Sequence, residues 1–176
     1  MIAKKQTRII RLLTLVVALG YSAASVATSA VFEKEYSIEN TASIEISNGS
    51  GSVDVRGADV DQVTIRARIS IDERYARRDA YKANKMIREL RAKPPIRVDG
   101  DRIVIERPKK HAQRRHAMIS YEILVPRDAQ VKVQSESGDV RVSGISGPVD
   151  ATSDTGVVTL VKISFRNTDE VRVAAR

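Results

Sequence analysis

Cysteine and tryptophan are absent from the 176-residue chain, and only two Phe, five Tyr and two His are present. Without cysteine there is no disulfide, no thiolate nucleophile, no iron–sulfur cluster, no cysteine zinc site and no lipoprotein acylation. His111 and His116 are too few for a histidine metal cage and offer little to a Ser-His-Asp triad. The scarcity of aromatics counts against a stacking platform for sugars or single-stranded nucleic acid. Nine Gly and five Pro are too few for a collagen-like or low-complexity chain. What remains is 42% hydrophobic and 30% charged, a globular composition whose length fits one domain.

Acid is missing from the first thirty residues, which carry Lys4, Lys5, Arg8 and Arg11, then a largely apolar run from Leu12 to Leu19, then small residues from Ser22 to Ala30. This order is that of a secretory signal peptide over 1–30. Cleavage after Ala27, with Ser25 at minus three, or after Ala30, with Thr28 at minus three, fits the small-residue rule. The alternating pattern that begins soon afterwards favours Ala30. A retained anchor over Leu12 to Ala30 would nominally span a bilayer, but its second half is mostly Ala, Ser and Thr, and no positive stop-transfer cluster follows. The expectation is an exported protein of the periplasm, cell envelope or extracellular space, with no stable membrane span after cleavage. Removing the leader leaves 26 basic against 22 acidic residues over 146 positions, so the net charge falls from +8 to +4. Most of the basicity is then targeting. Nucleic acid is not an expected partner, whereas anionic envelope or cell-surface components are compatible with the charge.

The remaining chain, 31–176, reads as a single mainly β domain. Apolar and polar residues alternate at Ile44-Glu45-Ile46, Val53-Asp54-Val55, Val63-Thr64-Ile65, Ile103-Val104-Ile105, Val131-Lys132-Val133 and Val140-Arg141-Val142. That period of two puts one row inward and the other in water. The inward row is Val and Ile, so the core is expected to be thin and aliphatic. Residues 44–57 align without gaps on 131–144, and Gly51 and Gly57 fall on Gly138 and Gly144. Three nine-residue units follow from Ser137, Ser146 and Thr155, each opening with Ser or Thr and then Gly. A short fixed period with a glycine at each corner suits parallel β-solenoid-like coils over 131–163, one coil being two units, about eighteen residues. An antiparallel meander with Ser-Gly turns is the alternative. The units lack the repeated Gly-Gly and aligned Asp of calcium-binding nonapeptides, so no calcium or other cofactor is implied.

One segment departs from the alternation. Ala76, Ala80, Ala83, Ile87 and Leu90 recur at helical spacing within 73–92, with charged residues over much of the remaining surface. Asp72 is a candidate N-cap and Pro94-Pro95 a stop, so one amphipathic helix insertion is expected over about 73–92.

Ser120-Tyr121-Glu122-Ile123-Leu124-Val125-Pro126, followed by Val131-Lys132-Val133 and by Ser137-Gly138-Asp139-Val140-Arg141-Val142-Ser143-Gly144-Ile145-Ser146-Gly147, resembles the DUF4097 family, which also carries an adhesin label. The resemblance covers roughly 38–163. It implies a β-solenoid on exported or envelope proteins and assigns no catalytic residue. After Ile163 the repeat breaks, with Phe165, Asn167 and Asp169 where a Gly and aliphatics would continue it. A chain that is naturally short, truncated or read out of frame near its end would break in this way, with Val171-Arg172-Val173 as a closing strand or otherwise an open edge available for self-association.

The strongest polar cluster is 107–116, in which Arg107, Lys109, Lys110, Arg114 and Arg115 accompany both histidines and no acid. A solvated loop explains it. A possible anion-binding role is the functional alternative, those five cations docking on lipid head groups or lipopolysaccharide. Ser137-Gly138-Asp139 looks like a nucleophile beside a carboxylate, yet it recurs as Ser50-Gly51-Ser52 and Thr155-Gly156-Val157, which points to turn chemistry. The sequence therefore leads to a non-enzymatic structural or adhesive scaffold, with an anion-binding module as the second reading.

Overall fold

A computed structural model describes residues 29–164 and 171–175, so the expected leader lies outside the described residues except for its last two positions. In chain order the elements are β1 (Ser29–Ser37), β2 (Ser43–Ser50), β3 (Val53–Ala58), β4 (Gln62–Ile71), α1 (Glu73–Arg78), α2 (Ala80–Ala92), β5 (Ile96–Asp99), β6 (Arg102–Ile105), α3 (His111–His116), β7 (Ala117–Pro126), β8 (Gln130–Ser137), β9 (Val140–Ser143), β10 (Val149–Thr155), β11 (Val158–Val161) and β12 (Val171–Ala175). They build two six-stranded sheets, β1-β4-β7-β3-β9-β11 and β12-β10-β8-β2-β6-β5, which share one apolar core. The protein is mainly β, as its alternation requires.

Successive strands from β8 onward change sheet, and β10, β11 and β12 each pair in parallel with the strand two places before. Val131 pairs with Val149 and Val140 with Val158, a register of eighteen residues in both sheets. The internal sequence match is itself a pairing register: Ile44 lies beside Val131 and Val53 beside Val140. The inward side chains therefore stack in columns. In one sheet Ile103, Ile44, Val131 and Val149 form a row, and Ile105, Ile46, Val133 and Ala151 another, all buried. Burying each such Val or Ile stabilises by about 1.5–3 kcal/mol.

A wholly parallel arrangement is not what forms. β4 lies antiparallel between β1 and β7, and β5 pairs antiparallel with β6. Only the two residues Gly100 and Asp101 link β5 to β6, a connection that allows a hairpin and forbids a parallel crossover.

The single helix expected over 73–92 is two helices. Asp72 caps α1 by accepting the Tyr75 N–H at 2.8 Å, and Asp79 caps α2 by accepting the Lys82 N–H at 3.0 Å. An aspartate whose carboxylate bonds the backbone ahead of it competes with continuing the helix through that point. Ala83, Met86, Ile87 and Leu90 are buried, and α2 packs on β4 and β1 at one end of the first sheet. Met86 joins the apolar stripe, while Ala80 is only half-buried.

The corners show why glycine recurs. A Cβ on Gly138 would stand 2.4 Å from the Gly51 carbonyl oxygen, and one on Gly156 2.4 Å from that of Gly138. Beside this column run three buried polar residues, Asn48, Ser135 and Ser153. Asn48 Nδ2 donates to the carbonyls of Gly51 (2.7 Å) and Ile119 (3.2 Å), and Ser153 Oγ donates to that of Gly138 (3.0 Å). The Ser135 hydroxyl has no hydrogen-bond partner among the described residues.

Candidate functional site

The basic segment 107–116 connects β6 to β7 and is not simply a loop, because His111–His116 forms the short helix α3. The acid missing from its own sequence comes from elsewhere in the chain. Arg107 is ion-paired with Glu136 on β8, and Lys110 Nζ lies 2.7 Å from Glu89 Oε2 on α2. The same Glu89 oxygen accepts from Gln113 Nε2 at 3.1 Å, and Gln113 is buried. The Lys110 ammonium holds the Glu89 carboxyl below the usual carboxylate range. Arg114 turns back and donates to the carbonyl oxygens of Lys109 (2.6 Å) and Pro108 (3.3 Å). Of the five cations, Lys109 and Arg115 alone show neither an ion pair nor a side-chain hydrogen bond among the described residues, and both are exposed.

The two histidines are apart in role. His111 is exposed, whereas the His116 ring stacks on Tyr75 with centroids 4.1 Å apart, tying the start of α1 to the start of β7. The Asp72 N–H donates to the His116 carbonyl oxygen at 2.9 Å and strengthens that tie. Among the described residues no group of three His, Asp or Glu side chains is placed to hold a metal ion. Asp139 Oδ1 accepts the Val157 N–H at 2.9 Å, so this carboxylate ties the turn before β9 to the turn before β11.

Packing the basic segment against α2 and β5 leaves a groove of about 700 Å³. Leu90, Pro94, Pro95, Ile96 and Pro108 give it an apolar floor, and Glu89, Lys93, Arg97, Glu106, Lys109 and Lys110 stand around it. Arg97 Nη1 reaches Glu106 Oε1 at 3.3 Å. Sequence reasoning picked out Lys109 and Lys110 but missed the groove, whose residues come from three separate elements. The available signal was that three of the five prolines, Pro94, Pro95 and Pro108, flank the β5–β6 hairpin.

No family model matches the chain, and no curated protein does. Among solved structures, the crystal structure of a candidate cell adhesion protein from Clostridium sporogenes is similar over 83% of this chain and 68% of its own, at 12% identity and a TM-score of 0.49. A likeness of that strength carries no argument about function. Among the described residues no helix is long and apolar enough to cross a membrane.

Proposed function

We propose that this is an exported β-solenoid protein of the cell envelope, of the kind grouped in the DUF4097 family, acting as a structural or adhesive scaffold without catalysis. The observation that supports this best is the shared eighteen-residue register of β8 with β10 and β9 with β11, together with the coincidence of the internal repeat with strand pairing. A chain built this way offers long rows of outward side chains at fixed spacing, which suits surface contact. Fractionation of cells making the full chain tests the export, and adherence of cells lacking the gene tests the role. Recovery in the envelope or medium without the leader, and adherence lost on deletion and restored on complementation, are expected. An intact leader on a cytoplasmic product, or adherence unchanged by deletion, sinks the corresponding half of the proposal.

A second reading, docking on envelope phosphates through 107–116, rests on Lys109 and Arg115, the two of its five cations with neither an ion pair nor a side-chain hydrogen bond among the described residues. Charge reversal of both is the test. Loss of binding to anionic liposomes with adherence unchanged supports this reading, whereas no liposome binding by the native chain removes it.

A further inference from the structure

We propose that the groove between α2, β5 and residues 106–113 binds a single-chain amphiphile with an anionic head, its alkyl chain on the proline floor and its head at the lysine rim. This goes beyond the scaffold reading and requires neither export nor adhesion.

The three prolines make much of the floor apolar and leave no backbone hydrogen-bonding group of their own free. Proline carries no N–H, so Pro94, Pro95 and Pro108 offer no backbone donor. Their carbonyls are already used: that of Pro94 accepts the Ile96 N–H at 2.8 Å, that of Pro95 the Glu106 N–H at 2.8 Å, and that of Pro108 the Arg114 guanidinium at 3.3 Å. An extended peptide or a sugar needs main-chain or side-chain partners where it lies. A hydrocarbon needs none, and it gains by leaving water. The volume falls within the ordinary range of small-molecule sites, about 300–1,000 Å³.

The rim supplies the opposite chemistry. Of its four cations, Arg97 and Lys110 are paired with Glu106 and Glu89, whereas Lys93 and Lys109 have no ion pair among the described residues. The surplus is therefore two positive charges beside an apolar trough. Lys93 follows the last turn of α2, whose unpaired carbonyls oppose an anion and offset part of its charge. The head group accordingly lies toward Lys109.

The test is calorimetric titration of the full chain with dodecyl phosphate below its micelle concentration, at low salt, beside dodecanol and inorganic phosphate. One saturable equivalent of dodecyl phosphate is expected, with each half-ligand at least about ten-fold weaker. The exposed pair Lys93→Glu with Lys109→Glu should weaken dodecyl phosphate by about ten-fold or more and leave dodecanol unchanged. Because the chain has no tryptophan, Ala92→Trp places a single reporter at the groove. Its emission should shift to the blue with dodecyl phosphate and not with inorganic phosphate. This keeps the proposal testable even if the double variant fails to fold. Absence of saturable binding, a folded double variant that binds as the native chain does, or displacement of the ligand by an equal concentration of a hexaglutamate peptide would overturn the proposal. The last outcome would make the groove a site for acidic peptide.

Discussion

Gly138 lies against the carbonyl of Gly51, so that a methyl group on it would come to 2.4 Å from that oxygen, and its φ of 133° is one that side-chain-bearing residues rarely adopt. Gly138→Ala should therefore destabilise through both backbone strain and forced separation of β3 from β9, by at least about 2 kcal/mol. A urea midpoint equal to that of the native chain would show that the corner can open without cost.

The converse change is available eighteen residues further on. Lys162 has a φ of 53°, at the position that Gly144, with a φ of 69°, occupies eighteen residues earlier. Relief of the left-handed strain, about 1–2 kcal/mol, outweighs the extra unfolded-state freedom of glycine, about 0.5–1 kcal/mol. Lys162→Gly should raise stability by roughly 0.5–1 kcal/mol, read as a higher denaturant midpoint at unchanged slope.

The Ser135 and Ser153 hydroxyls occupy adjacent places in one buried column but differ in partner. Ser153→Ala discards the bond to the Gly138 carbonyl and should cost about 1 kcal/mol. Ser135→Ala removes a hydroxyl with no partner among the described residues, and should be neutral or stabilising by up to about 1 kcal/mol. Equal losses for the two variants would contradict this contrast.

Much of this was legible in the sequence because paired strands read the same letters. The match of 44–57 to 131–144 told which strands lie side by side, and the branched residues at 53, 55, 140 and 142 told which face is inward. Features without a periodic signature were not legible. The antiparallel place of β4 depends on tertiary pairing with β1 and β7, and the helix break depends on one carboxylate at Asp79 choosing its own backbone. The basic segment looked unpaired because Glu89 and Glu136 are 21 and 29 residues from the cations they meet.

Acid should weaken the fold in a definite window. Glu89, Asp59, Asp79 and Asp101 are each held below the ordinary carboxylate range, by Lys110, Arg127, Lys82 and the Glu39 N–H with Asn40 respectively. A depressed folded pKa contributes stability that is present above the unfolded value and lost as pH falls through the folded one. Unfolding midpoints are expected to fall as pH drops below about 4. Asp101→Asn should flatten part of that fall, and an unchanged profile would exclude Asp101 as a contributor.

Processing of the leader can be read against β1. Ser29 pairs with Ser70 and Ala30 with Ile69, so cleavage after Ala30 would remove two paired residues, whereas cleavage after Ala27 keeps both. Under the proposed export, the N-terminus of the processed chain is expected at Thr28. Sequencing that begins at Val31 would show that β1 starts shorter in the mature protein.

The two poles of the molecule are unlike. At one, α2 lies across β4 and β1; at the other, β11 is the outermost described strand, beyond β7, β3 and β9, which run in its direction. Duplicating residues 146–163 in place would therefore add one strand beyond β10 and one beyond β11 at the cost of re-seating β12, whereas strands added at the helical pole would have to displace α2. Length in this architecture is adjustable from one side only, like a ruler that can be extended past its last mark but not before its first.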